Sequence, residues 1–340
     1  MAASDSGLLR RLLTGLAALV VLPAVVLAHA WASLALWFSP LPPETWIRGT
    51  LALGFAVAGF WALFRSDSVA ARAAYAIVFV LIAYGWSLIE PSDRRDWREE
   101  VAVMPRATIA GDVVTITGVR NFDYRDRNDF TPHYETREVR LSHLTGIDFY
   151  VAFWMKGPIG HTFLSFTFDD APPLSVSIET RPEKGEGFDP LASMFKTFEL
   201  IYVVGEERDL VRLRTNFRDE DVFLYHMAVS PERARALFFE YLRRINELAD
   251  HPEFYHLLSN SCTINIVRYA NATGREGSWD IRHILNGWID RYFYRAGLIK
   301  TPLPFDELRR RSDITEVSKA AGDGPDYPQR IRAGLPTFPK

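Results

Sequence analysis

One cysteine, Cys262, stands in the 340 residues of this chain. An intramolecular disulfide is therefore excluded, and any fold must hold by packing. Basic residues do not exceed acidic ones, at 39 Lys and Arg against 42 Asp and Glu. That balance excludes the cationic surface of a nucleic-acid binder. No internal repeat occurs, and no low-complexity tract precedes the Gly- and Pro-rich stretch from Ala321. Metal-ligand spacing is missing as well. His251 and His256 flank Glu253 without zinc spacing, and the acidic run from Asp123 to Asp129 lacks the glycine and distal glutamate of an EF-hand loop. No metal and no other cofactor is expected.

Charge is sparse in the first 90 residues. Leu12 to Phe38 contains no charged residue, Thr45 to Phe64 only Arg48, and Ala73 to Ile89 none. A bilayer-spanning helix needs ~20 mostly apolar residues, so three crossings fit, at about 12–38, 45–64 and 73–89. The first run is too long for a secretory signal and has no clear small-residue cleavage site. Arg10 and Arg11 precede the first span, and Arg65 and Arg72 flank the link between the second and third. The positive-inside rule puts both positions in the cytoplasm. The loop with Pro40, Pro42, Pro43 and Glu44, flanked by Trp37 and Trp46, then faces outward, as does everything after Pro91. The expected layout is a 1–90 anchor, a 91–112 linker with a leading strand, a 113–300 catalytic domain and a 301–340 tail.

Strand-like runs dominate the first part of the outer domain: 113–117, 147–154, 161–168, 174–179, 198–204 and 222–229. Helices follow. Ser230-Pro231 starts one that carries an apolar face through Asp250, the Cys262 segment forms a second as far as Ala272, and a third is expected over Ile281 to Ala296. Strands first and helices later read as α+β.

Cys262 lies in Asn260-Ser261-Cys262-Thr263, where a polar turn runs into a helix. Small hydroxyl and amide side chains cap helix starts, and a sulfur there feels a partial positive charge that favours thiolate. His161 heads the alternating run His161-Thr162-Phe163-Leu164-Ser165-Phe166. A hairpin to Ser175–Arg181 would bring Glu179 to the imidazole, fixing its tautomer. Backbone N–H groups at the helix start, with the Asn260 side chain, would meet an oxyanion. Each residue also has a plainer reading. Free cysteine is among the most buried residue types, Asn260 is a helix cap, and Glu179 is a partner for Arg181 or Arg208. The run Glu206 to Asp209 with Arg212 and Arg214 reads as a solvated face of ion pairs, or as a grip on an anionic headgroup.

Taken in order, Asn121-Phe122-Asp123-Tyr124, His161-Thr162-Phe163-Leu164-Ser165-Phe166, Ser177-Ile178-Glu179-Thr180-Arg181, Glu207-Arg208-Asp209, Leu213-Arg214-Thr215-Asn216 and Asn260-Ser261-Cys262-Thr263 resemble the periplasmic domain of the Lnb family. The resemblance spans roughly Val113 to Gly274 and implies a circularly permuted NlpC/papain-like thiol enzyme, with histidine before cysteine. It further implies lipoprotein N-acyl transfer, in which acyl passes from phospholipid to the thiol and then to the amine of a lipoprotein N-terminus or another acceptor. Cys262 would be the nucleophile, His161 the base and acid, Glu179 the orienting residue and Asn260 the support. Asn121, Arg181 and Arg208 are candidates for holding substrate. The implied setting is the inner membrane with the domain in the periplasm. Two features depart from the family pattern: three helices precede the domain instead of following it, and the local motif is Asn260-Ser261-Cys262 rather than a double-Asn version. Two other readings stay open, a cysteine amidase or peptidase acting on cell-wall peptides and a non-catalytic envelope protein of the same fold.

Overall fold

In this computed structural model, residues 2–40, 44–274, 277–299 and 301–336 are described, with backbone alone for 2–14 and 16–18. Pro42, Pro43 and the side chains of Arg10 and Arg11 lie outside the described residues. The chain forms two compact units, one of Met1–Pro91 with Leu191–Thr197, the other of Ser92–Pro190 with Phe198–Lys340.

The first unit consists of α1 (Ala2–Phe38), α2 (Thr45–Phe64) and α3 (Val69–Ser87). All three have segments long and apolar enough to cross a membrane: Leu19–Phe38, Thr45–Phe64 and Val69–Ser87. The third therefore begins earlier than its charge-free run, with Ser68 capping it through a bond from Ala71 N–H. Gly59 is required where α2 meets α1, because a Cβ there would come within 2.6 Å of the His29 ring. Lys196 donates to the Trp86 and Ile89 carbonyls at 3.0 and 2.8 Å, which satisfies the exposed C-terminal end of α3.

The second unit is built on one twisted sheet. Its strands are β1 (Arg106–Ala110), β2 (Val113–Arg120), β5 (Tyr134–Arg140), β6 (Leu144–Phe153), β7 (His161–Phe168), β8 (Leu174–Arg181), β9 (Glu199–Glu206) and β10 (Asp221–His226). A separate two-stranded ribbon pairs β3 (Asp123–Tyr124) with β4 (Phe130–Thr131). The order across the main sheet is β1-β2-β9-β8-β7-β6-β10, with β5 added on β2. Every pairing is antiparallel except β2 with β9, which touch at Arg120 and Gly205. Gly205 permits that approach, since a Cβ would lie 2.8 Å from the Arg120 carbonyl oxygen. The central strands β6 to β9 are buried on both faces, although β7 and β8 carry polar side chains such as Ser165, Ser175 and Ser177.

One face is covered by α5 (Pro231–Asp250) and α6 (Cys262–Ala272). Leu237, Phe238, Tyr241, Leu242, Ile245 and Leu248 recur at helical spacing and form with the sheet the main core, which also contains Cys262 and Ile266. The other face carries α4 (Glu207–Arg212), a following π-helical turn (Leu213–Phe217), α9 (Thr315–Ala320) and α10 (Tyr327–Arg330), while α8 (Phe305–Ser312) sends Leu308 into the main core. Tyr150 and Phe163 stack there at 4.6 Å, beside Ile314, Tyr327 and Ile331.

Two expectations change. The helix read over Ile281 to Ala296 is broken into 3-10 turns at Ile281–His283 and Asn286–Trp288 before α7 (Ile289–Arg295). The break lies at Asn286-Gly287, where Gly287 N–H bonds the Pro158 carbonyl at 2.8 Å and any Cβ would collide with Gly157 and Pro158. The stretch Glu206 to Arg214 is not a solvated face. Glu207 and Asp209 are fully buried and Arg214 nearly so.

Candidate active site

Cys262 is the first residue of α6 and is buried. The turn before it is held by its own polar groups. Asn260 Nδ2 donates to Glu253 Oε2 at 3.1 Å and to the Phe254 carbonyl at 2.9 Å, while Asn260 Oδ1 accepts from Asn265 Nδ2 at 2.9 Å. Arg268 reaches back to the Ser259 carbonyl at 2.7 Å. Ser261 occupies the N-cap position without a side-chain bond to the helix, so the hydroxyl cap expected there is not made. The first-turn N–H groups are left for other partners. The buried Tyr255 hydroxyl lies near the Cys262 N–H and sulfur, within reach of their electrostatic influence.

His161 opens β7, and the register that pairs Phe163 with Ser177 brings Glu179 level with it on β8. A serine stands between them. His161 Nε2 is 2.7 Å from Ser177 Oγ, and Ser177 donates to Glu179 Oε1 at 2.8 Å. The direct His161–Glu179 separation is 3.7 Å. Behind the carboxylate, Arg214 bonds Glu179 at 2.8 Å and Glu220 at 3.1 Å, and its guanidinium lies 5.2 Å over the Phe163 ring. The π-helical turn is what aims Arg214 inward. A second buried pair, Arg120 with Asp209, backs this layer.

Alternation along β7 sends Thr162 to the α6 side, where its hydroxyl meets that of Thr263 at 2.8 Å. His161, as the first residue of the strand, lies near the same sulfur at the sheet end, close enough for its charge to act on the thiol. With Nε2 engaged by Ser177, Nδ1 is the ring nitrogen left for the thiol. Burial pushes the thiol up. The charge of His161, with the nearby Thr162 backbone and hydroxyl, outweighs that and lowers it to about 6. Burial likewise raises Glu179, but Arg214 first, then His161, Arg218 and Arg120, hold it well below the usual carboxylate range. The carboxylate is thus an anion at any working pH and can steady an imidazolium. Asn286 completes the surroundings. Its Nδ2 is 2.9 Å from Thr263 Oγ1 and 3.7 Å from the sulfur, and its Oδ1 accepts from Gly160 N–H at 2.9 Å.

Such a set can ionise a thiol, accept and return a proton, and meet an oxyanion at a helix start. Residues 130–287 match the family model described as the Lnb N-terminal periplasmic domain. The chain carries an Lnb periplasmic domain. The matched stretch of this Lnb domain contains His161, Ser177, Glu179, Tyr255, Cys262 and Asn286. No curated protein and no solved structure matches the chain. Together with three helices long and apolar enough to cross a membrane, the Lnb domain makes this a membrane-anchored protein with a periplasmic domain.

Four residues singled out from the sequence stand elsewhere in the Lnb-bearing unit. Asn260 has both amide hydrogens engaged by Glu253 and Phe254, so it shapes the turn instead of facing an oxyanion. Arg181 is buried, donates to the Val101 and Ala102 carbonyls and to Asp93, and lies 4.3 Å over the Trp97 ring. It ties down the segment leading into the sheet, with each of its three guanidinium nitrogens already donating a hydrogen bond. Arg208 pairs with Glu206 at 2.6 Å and reaches the Asp323 carbonyl at 3.4 Å. Asn121 is buried, 3.4 Å from Glu135 Oε2, with its Oδ1 unpaired among the described residues. None of the hydrogen bonds of these four side chains reaches Cys262, His161 or Glu179.

Sequence reasoning missed Tyr255, Thr162, Asn286 and the inward Arg214. Alternation along β8 puts Ser177 on the face of Glu179, which is a usable signal for the intervening hydroxyl. Tyr255 and Asn286 gave none, because a turn and a broken helix bring them in.

Proposed function

We propose that this protein is a periplasmic thiol acyltransferase that takes an acyl group from phospholipid onto Cys262 and passes it to an amine, such as a lipoprotein N-terminus. The observation that carries this reading is the imidazole of His161, which lies near enough to the sulfur to favour its thiolate and is backed through Ser177 by an ionised Glu179. The Cys262 thiolate attacks the ester carbonyl, and the oxyanion forms against the Cys262 N–H and the Tyr255 hydroxyl. Collapse breaks the ester C–O bond, and His161 protonates the departing lysophospholipid alkoxide. An amine then attacks the thioester, His161 accepts its proton, and the C–S bond breaks to return thiolate and amide. Arg65 and Arg72 favour a cytoplasmic link between α2 and α3, with three crossings of the inner membrane.

Phospholipid labelled in its acyl chain should leave label on the wild-type chain, releasable by hydroxylamine, and none on Cys262→Ser. Turnover without any thioester on the wild type would overturn the proposal. Release of soluble peptide fragments from cell wall in the same preparation, with no acyl transfer, would assign the thiol to amide hydrolysis instead.

The oxyanion assignment has its own check. Tyr255→Phe should slow acyl-enzyme formation by about 10²-fold while leaving the apparent affinity for donor lipid nearly unchanged. An equal loss of affinity and no loss of rate at saturation would remove Tyr255 from the oxyanion site.

A further inference from the structure

Two segments flank the thiol and meet at one point. The loop 154–160 runs directly into His161, and the segment 279–295 contains Asn286, which touches the sulfur. They join where Gly287 N–H bonds the Pro158 carbonyl. Both segments expose large apolar side chains. Met155 is 63% exposed and Trp279 72%, and Trp154, Ile159, Ile281 and Trp288 are all more than one-third exposed. Phe188 extends the patch by meeting Trp154 edge-on at 6.3 Å. Apolar clusters of this kind beside a site mark a docking surface, and tryptophan is the residue enriched where protein meets lipid headgroups.

A groove beside Trp288 and Ile281 adds a surplus of positive charge. Its lining includes Arg282, Arg291, Arg295 and Arg309 against Asp280 and Asp290. Arg282 is held by Asp280 at 2.6 Å and Arg291 only loosely by Asp306 at 3.5 Å. Arg309 faces Asp290 at 3.4 Å, but that carboxylate is fully buried and turned to the Tyr225 hydroxyl at 3.0 Å. Arg295 is exposed and has no acidic partner among the described residues. Seen from solvent, guanidinium groups predominate, and guanidinium binds phosphate oxygens in a fork.

We infer that the face formed by 154–160 and 279–295 is a membrane-docking surface, which seats the thiol site on anionic phospholipid headgroups. The exposed aromatic and aliphatic side chains enter the headgroup layer, and the arginines of the groove engage the phosphates. For its purpose this rests on the acyl-transfer reading, since it brings the donor ester to the sulfur. Its existence is testable without that chemistry.

The full chain carrying Cys262→Ser, which can form no thioester, would be placed in nanodiscs of phosphatidylcholine alone or mixed with phosphatidylglycerol. Nitroxide labels at Met155→Cys, Trp279→Cys or Ile281→Cys would be compared with a label at Glu316→Cys, an exposed position on α9. The three labels on the face should be several-fold less accessible to an aqueous nickel chelate than the control and more accessible to oxygen. Phosphatidylglycerol should strengthen the difference, and Arg291→Glu with Arg295→Glu should weaken it. Equal nickel accessibility at all four positions would overturn the inference. So would protection that arises only when a lipoprotein acceptor is added, which would make the face a protein-binding surface. Because the background is catalytically dead, failure here leaves the thioester test standing, and failure of that test leaves this one standing.

Discussion

His161→Gln should raise the pH at which Cys262 ionises from about 6 to at least the ordinary thiol range near 8.5, and slow acyl-enzyme formation about 10²- to 10⁴-fold. The direction follows from the opposing influences on the sulfur. Burial alone disfavours the thiolate, and the imidazole supplies the strongest pull the other way through its charge. With Gln in place, the influence of Thr162 remains and the charge does not. The acid limb of kcat/KM in the wild type should fall below pH about 6, with apparent values that belong to the thiol–imidazole pair. The variant should shift that limb to higher pH. Since Cys262 is the single cysteine, thiolate absorbance measured against Cys262→Ser reads its ionisation directly. An acid limb unmoved in His161→Gln would show that the two groups do not act together.

Arg332→Ala should cost about 3–5 kcal/mol of stability, the usual consequence of leaving buried charge unpaired. Arg332 follows α10 and reaches through the second face of the sheet. It bonds Asp148 Oδ2 at 2.7 and 2.9 Å and both oxygens of Glu207 at 2.6 Å, and neither acid is meaningfully exposed. For a domain of this size, such a loss corresponds to a melting-temperature drop of roughly 6–20 °C. The pH dependence has a definite sign. Burial pushes Asp148 up, but Arg332 and then His226 hold it below the ordinary carboxylate value. Its ionised form therefore contributes stability that is fully present above about pH 4 and is lost as pH falls through the folded-state value. Without Arg332 burial prevails, Asp148 is raised, and protonation relieves the variant. The deficit should be greatest near neutrality and should narrow in acid. Thermal unfolding of the full chain in detergent at two pH values tests this, and a deficit that widens in acid would contradict it.

Legibility differed between local and long-range features. The span β7 coincides with the run His161 to Phe168 because alternation is local, and α5 follows Ser230-Pro231 because a cap and an N1 proline are local. The strand β5 went unread, because Tyr134–Arg140 lies toward the sheet edge and is half exposed and so shows no clean apolar pattern, whereas β1 (Arg106–Ala110) falls where a leading strand is expected within 91–112. The arginines were misjudged for a related reason. In the sequence Arg214 reads as part of a solvated face and Arg181 as a candidate for holding substrate, and only the assembled unit buries them, with Arg120, beside carboxylates.

By itself the sequence determined three apolar helices, an α+β unit after them, and a histidine on a strand, an acid across the hairpin and a lone cysteine at a helix start. Those features rest on periodicity, capping and turn chemistry, all of which act within about ten residues. The tertiary structure alone decided what surrounds the sulfur. Tyr255 faces it from a turn and Asn286 from a broken helix, Ser177 stands between His161 and Glu179, and Arg214 is turned inward by a π-helical turn. These contacts join residues far apart in the chain. Their energies come from burial and charge pairing, which exist only once the sheet and its two covering layers have closed.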